Sequence, residues 1–191
     1  VLSTDNIKTL SVDQIVALDA EDVAAMTDAQ VGALDTTQLR AFVPNQIKQI
    51  GTSQLASILP AKFAQIEAED FAELTDDQIK SLNTAQIANL STEQLDSLKA
   101  DQLSNFSTAQ IRALAVGTLE SLSVSAVSGL TTDQVQAFSP SQVAKFTPDQ
   151  LMHFSDAQLE AITSAQSDYL TTLALSQLSV SQIQAFKPET L

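Results

Sequence analysis

Leu90-Ser-Thr-Glu-Gln-Leu-Asp-Ser97 contains a complete helix-start signal in eight residues. Ser91 followed three residues later by Gln94 is a capping-box pair, in which each side chain binds a free backbone N–H of the first turn. Leu90 and Leu95 flank that pair at the two staple positions, where apolar side chains meet and fix the angle at which the chain enters the helix. Leu98 and Lys99 then start the pattern again. Leu130-Thr-Thr-Asp-Gln-Val-Gln-Ala137 is a second clear copy. The unit reads apolar, Ser/Thr, any, any, Gln, apolar, any, any.

Outward from Leu90 the period of eight holds in both directions. Leu2, Leu10, Leu18, Met26 and Leu34 begin a row that ends at Phe186, and all 24 positions are Leu, Ile, Met or Phe. A second apolar row lies five residues after the first, at Ile7, Ile15, Val23, Val31, Leu39, Ile47 and onward, and fails only at Ser167. Gln precedes the second row at 16 of 24 positions. No insertion or deletion breaks the register, and repeats of this regularity are the mark of solenoids and arrays.

A period of eight excludes one long helix. Eight residues advance about 800°, so an apolar stripe would drift about 80° per repeat and face no fixed core. It excludes a strand as well, because spacings of five and three switch faces under two-residue alternation. What remains is a short helix, a break and another short helix. Proline agrees: Pro44, Pro60, Pro140, Pro148 and Pro188 all fall one residue after the cap, where a missing N–H costs nothing. Charge agrees too. Of 23 acidic residues, 18 lie between the cap and the third helical position, and five of nine basic residues (Lys8, Arg40, Lys48, Lys80 and Arg112) lie in the following last turn, so both complement the helix dipole.

The expected fold is therefore all-α: a solenoid of about 24 eight-residue repeats, each one short capped helix. Helices should start near residues 4, 12, 20 and 28 and onward by eight. Pieces this short are unstable alone, so the apolar rows must pack on neighbouring repeats along a common core. Those rows should be the most buried positions, and the residue two after each cap, such as Glu93, the most exposed. Ala17, Ala25, Ala33, Ser97 and Gly129 precede the first row and would allow close helix approach. Two octads per layer, giving helix hairpins of about 16 residues, is the simplest closure; three per turn is the alternative. The pattern weakens at Leu59-Pro-Ala-Lys-Phe63, Ala115-Val-Gly-Thr118, Ser125-Ala-Val127 and Ser167-Asp-Tyr169, without loss of register. Residues 1–191 thus read as one continuous domain. Val1-Leu2 enters in register and Lys187-Pro-Glu-Thr-Leu191 stops within a repeat, which suggests part of a longer array or a unit that joins others end to end.

The 191 residues include no Cys and no Trp, and their net charge is -14. Without Cys there are no disulfides and no thiolate metal sites. Strong acidity argues against nucleic acid, whose phosphates need clustered Lys and Arg. No apolar run approaches the roughly 20 residues of a membrane span. His153 is the only histidine and occupies the same variable position as Ala137 and Lys145. The acid pairs Glu21/Asp22, Glu69/Asp70 and Asp76/Asp77 sit at helix starts, lack calcium-loop spacing, and read as dipole partners. No catalytic, cofactor-binding or metal-binding residue is expected, no cofactor is expected, and the chain does not read as an enzyme.

The octads beginning at Leu90 and Leu130 resemble the tandem L-[ST]-x-x-Q-[ILV] repeats of large bacterial secreted and cell-surface, adhesin-like proteins. That resemblance spans the chain and implies an extracellular stalk, spacer or filament role. Phe146-Thr-Pro-Asp-Gln-Leu151 is also similar to the first helix of a TAL-effector repeat. That family has a longer repeat with a base-reading loop and a basic face, so the likeness extends only to the way a helix starts. The expectation is a structural rod, extended by end-to-end self-association or by more octads, with no nucleic acid and no membrane insertion. The alternative is a solenoid module that binds a protein or peptide.

Overall fold

The computed structural model describes residues 2–186. Among them, 22 α-helices and one 3-10 helix follow one another with no strand. They start at residue 4 and then at every eighth residue to 180, and each is four to six residues long. The period predicted every one of these starts. Pro44, Pro60, Pro140 and Pro148 open their helices as expected; Pro188 lies outside the described residues.

The helix Asp76–Ser81 shows how an octad is built. Thr75 is extended (φ -73°, ψ 163°) and its hydroxyl accepts from the Gln78 N–H at 3.3 Å. The Gln78 side-chain oxygen accepts from the Thr75 N–H at 2.8 Å. The helix ends at Leu82 (φ -60°, ψ 130°), and Asn83 (φ -78°, ψ 160°) caps the next one. Two consecutive extended residues thus make this corner, and Leu122–Ser123 and Phe138–Ser139 repeat it. No described residue has positive φ, so no left-handed residue of the kind that commonly ends helices is used.

This corner decides how many octads make a turn. Asp28–Ala33 packs against Thr52–Ser57, and Thr52–Ser57 against Asp76–Ser81. Pro44–Ile47 packs on Ala68–Phe71, which packs on Thr92–Ser97. In each case the partners lie three octads apart, so one turn takes 24 residues and the solenoid has three faces. This corrects the simplest expectation, a hairpin of two octads. A hairpin must reverse the chain at each break. An all-extended, two-residue corner turns it by less, and three such corners close the path.

By internal contacts the chain divides into two compact units, Val1–Ser97 and Leu98–Leu191. In the first unit the three faces are headed by Thr4–Lys8, Val12–Val16 and Ala20–Ala25. In the second they are headed by Ala100–Ser104, Thr108–Ala113 and the 3-10 helix Val116–Ser121.

Both units bury the second apolar row most completely. Ile15, Leu39, Ile47, Leu55, Ile79, Leu95, Leu103 and Ile111 have no exposed surface. The first row fills the corners, with Leu34, Ile58, Leu98 and Leu114 at 2 % or less. Rings from successive octads meet edge to face: Phe63 with Phe71 at 6.0 Å, and Phe138 with Phe146 at 5.1 Å. Such pairs add about 0.5–1.5 kcal/mol beyond area burial. Every described residue two after a cap is exposed, as the pattern predicts. Small residues before the first row do permit close approach. A Cβ on Gly129 would lie 2.5 Å from the Ala100 carbonyl oxygen, one turn below.

The departures from the repeat have local outcomes. Ala115 has no side-chain acceptor and Thr118 replaces Gln; here Val116–Ser121 winds as 3-10 and Thr118 donates to the Ala115 carbonyl. Ser123 still caps Val124–Ser128 by accepting from the Ala126 N–H. Ser167, half-buried in the apolar row, ends a four-residue helix and bonds the Ser164 carbonyl.

Candidate functional site: the glutamine corners

The corners carry the most repeated side-chain chemistry in the molecule. Gln86 has no exposed surface. Its side-chain oxygen accepts from the Asn83 N–H at 3.1 Å, closing the capping box. Its Nε2 donates to the carbonyls of Leu55 and Ile58, at 2.9 and 3.1 Å, on the corner one layer below. Those carbonyls belong to the end of a helix, where acceptors lack the regular i+4 donor; Leu55 also accepts from the Ile58 N–H at 3.2 Å. One amide therefore serves a helix start in its own turn and a helix end in the turn beneath.

The same pair of bonds, to residues 31 and 28 earlier, recurs at Gln38, Gln46, Gln54, Gln78 and Gln94 in the first unit. In the second unit it recurs at Gln134, Gln142, Gln150, Gln158 and Gln166. These glutamines form ladders along the corners. A lone capping box accepts Glu as readily as Gln. Glu has no N–H for the carbonyls below, and none occupies this position in any octad. That exclusion was the sequence signal for the ladder, and capping alone does not account for it.

Lys62 separates the two jobs of the glutamine. Its octad has lost the capping box, with Leu59 at the cap. Its Nζ still donates to the Leu34 and Gly32 carbonyls, at 2.6 and 3.3 Å. Asp70 is the opposite case. It occupies the ladder position and is 6 % exposed, and its cap residue Glu67 makes no side-chain cap bond. Burial first, then the neighbouring carboxylates of Glu67 and Glu69, push its carboxyl up to about 6.

A group whose folded pKa is raised binds its proton more tightly in the folded state. Ionised Asp70 therefore destabilises the fold at neutral pH, and that cost recedes as pH falls through about 6 towards 3.8. Asp70→Gln restores a cap acceptor and a ladder donor. It should stabilise the chain by about 1–2 kcal/mol at pH 7. Urea denaturation of both proteins from pH 7 to pH 4 checks this. The gap between them should narrow over that range; a constant gap would mean that Asp70 does not titrate near 6.

The other candidates stand where the repeat puts them. His153 ends the helix Pro148–Met152, and its Nδ1 donates to the Asp149 carbonyl at 2.8 Å. Glu21/Asp22, Glu69/Asp70 and Asp76/Asp77 lie in the first turns of their helices. No group of three or more acids and histidines that would hold a metal ion occurs among the described residues, and no described helix is long and apolar enough to cross a membrane.

The fold and the corner ladders define a class: the chain is a tandem-repeat protein, an all-α solenoid of short helices. A family model described as the ALTTAQ repeat matches residues 1–36 and 63–100. Read as residues, those six letters parallel Ser81-Leu82-Asn83-Thr84-Ala85-Gln86, from the corner through the cap to the ladder glutamine. No curated protein matches the chain.

Proposed function

We propose that the chain is a structural element, an extended rod that serves as a stalk, spacer or filament subunit at a cell surface or outside the cell. The observation that carries this reading is the sameness of the joint between turns. Within each unit, turns lie on one another through the same two apolar rows and, at most octads, the same pair of glutamine bonds, so added octads of this kind would add length without any new contact type. Continuation of the array, or stacking of copies end to end, would lengthen the rod. The net charge of -14 would hold rods apart laterally, a repulsion that salt screens. The role proposed is mechanical and not enzymatic.

Small-angle scattering on the 191-residue chain and on a genetic tandem duplicate tests the proposal. A rod keeps its cross-sectional radius while its longest dimension doubles. A duplicate that grows in cross-section instead would contradict it and favour a compact binding module.

A further inference from the structure

Four successive helix starts in the first unit lack a side-chain cap. Val43, Gly51, Leu59 and Glu67 head Pro44–Ile47, Thr52–Ser57, Pro60–Phe63 and Ala68–Phe71, and none makes a side-chain cap bond. Val43, Gly51 and Leu59 have no acceptor to give, and the Glu67 carboxylate is taken by Arg40 at 2.6 Å. Elsewhere among the described residues, the starts without this bond stand singly, at Lys99, Ala115 and Thr163, each between capped neighbours.

Other local supports are missing from the same stretch. Three of its four helices have only four residues. The N–H of Gln46 turns back to the Val43 carbonyl at 2.8 Å, and that of Lys62 to Leu59 at 2.9 Å, bonds of the tighter and poorer 3-10 kind. The last two octads also lack the ladder glutamine, with Lys62 and Asp70 in its place. The core is not thinned to match: Ile47, Leu55, Phe63 and Phe71 have no exposed surface. Pro44 and Pro60 preset the backbone at two of the four starts. The stretch is thus folded and packed, but held by its apolar rows with little support from within each octad.

We propose that residues 43–71 are the compliant segment of the first unit, a built-in breakpoint that opens locally and reversibly before the octads that follow it. A missing cap is worth about fivefold in a local folding equilibrium. In a repeat array stability is a sum of terms for each repeat and for its neighbours. Losses in consecutive repeats therefore add within one piece, whereas single losses are held by intact neighbours. Pieces of this kind open well below the cost of global unfolding. In a rod, such an opening would release roughly 30 residues, about 100 Å of extended chain, and so let the rod yield under load without parting. The inference does not depend on the rod reading, because the opening occurs in the free chain as well.

Hydrogen exchange of the full chain under native conditions, read residue by residue by NMR, tests the proposal. The amides to follow are those bonded to the cap carbonyl in every octad, so that like is compared with like. Ile47, Leu55, Phe63 and Phe71 report on the segment, and Ile79, Ile87 and Leu95 on the capped octads after it. The first group should exchange at least about tenfold faster than the second, after correction for intrinsic rates. The variant Val43→Ser/Leu59→Ser/Glu67→Asp supplies three cap acceptors, and Ser139 before Pro140 shows that a hydroxyl caps in front of proline. It should slow the first group at least about tenfold and leave the second within about twofold. Equal protection of the two groups in the parent would overturn the proposal. So would a variant that leaves the first group unchanged or slows both groups alike.

Discussion

Gln86→Glu should destabilise the protein by about 3–5 kcal/mol, the cost of leaving a buried charge without compensation. The substitution changes almost no volume. The Asn83 N–H keeps its acceptor, so the capping box survives. The damage is all at the other end of the side chain, where a carboxylate oxygen replaces the N–H donor facing the Leu55 and Ile58 carbonyls. Gln86 has no exposed surface, so water cannot serve the three oxygens brought together. The pKa of the introduced carboxyl must therefore rise in the folded state. Its penalty is full above that raised value and shrinks as pH falls towards the unfolded value near 4.3. Urea denaturation at pH 7 and pH 4.5 checks both the size and the sign. A cost under 1 kcal/mol at pH 7, with no relief in acid, would show that the glutamine acts only as a cap.

Leu95→Ala should cost about 2–5 kcal/mol, as for other fully buried leucines. Leu95 lies in the second apolar row, has no exposed surface, and belongs to Thr92–Ser97, which packs on Ala68–Phe71 one turn below. Truncation leaves a cavity that two rigid turns cannot easily close. Thr37→Ala is the matched control: it is exposed, two residues after a cap, and should stay within about 0.5 kcal/mol. Denaturation midpoints separate the two. Equal losses would mean that the rows do not form the core.

The helix starts were legible in the sequence, although the 3-10 winding of Val116–Ser121 was not. Caps, prolines and charges all act within one octad, and each points to the same helix start, so the starts at 4, 12, 20 and onward follow. The two apolar rows likewise identified the core. The number of octads per turn was not legible, because it depends on the backbone angles of the two corner residues, such as Leu82 and Asn83, and many residue types adopt extended angles. The ladder was only half legible. The bond from Gln86 to Asn83 spans three residues and has a known signature. The bonds to Leu55 and Ile58 span 31 and 28 residues, and their register follows only once a turn is known to hold three octads.

Three octads per turn is the claim on which the ladder depends, and dipolar broadening between pairs of spin labels tests it directly. The chain has no cysteine, so labels can be placed at will on the exposed positions Ala61, Asp77 and Ala85. Ala61 and Ala85 are 24 residues apart and sit on adjacent turns of one face, with helix axes about 8–10 Å apart. Ala61 and Asp77 are 16 residues apart and sit on different faces. Strong broadening for the first pair and little for the second is the predicted result; the reverse order would mean two octads per layer and would contradict the fold described.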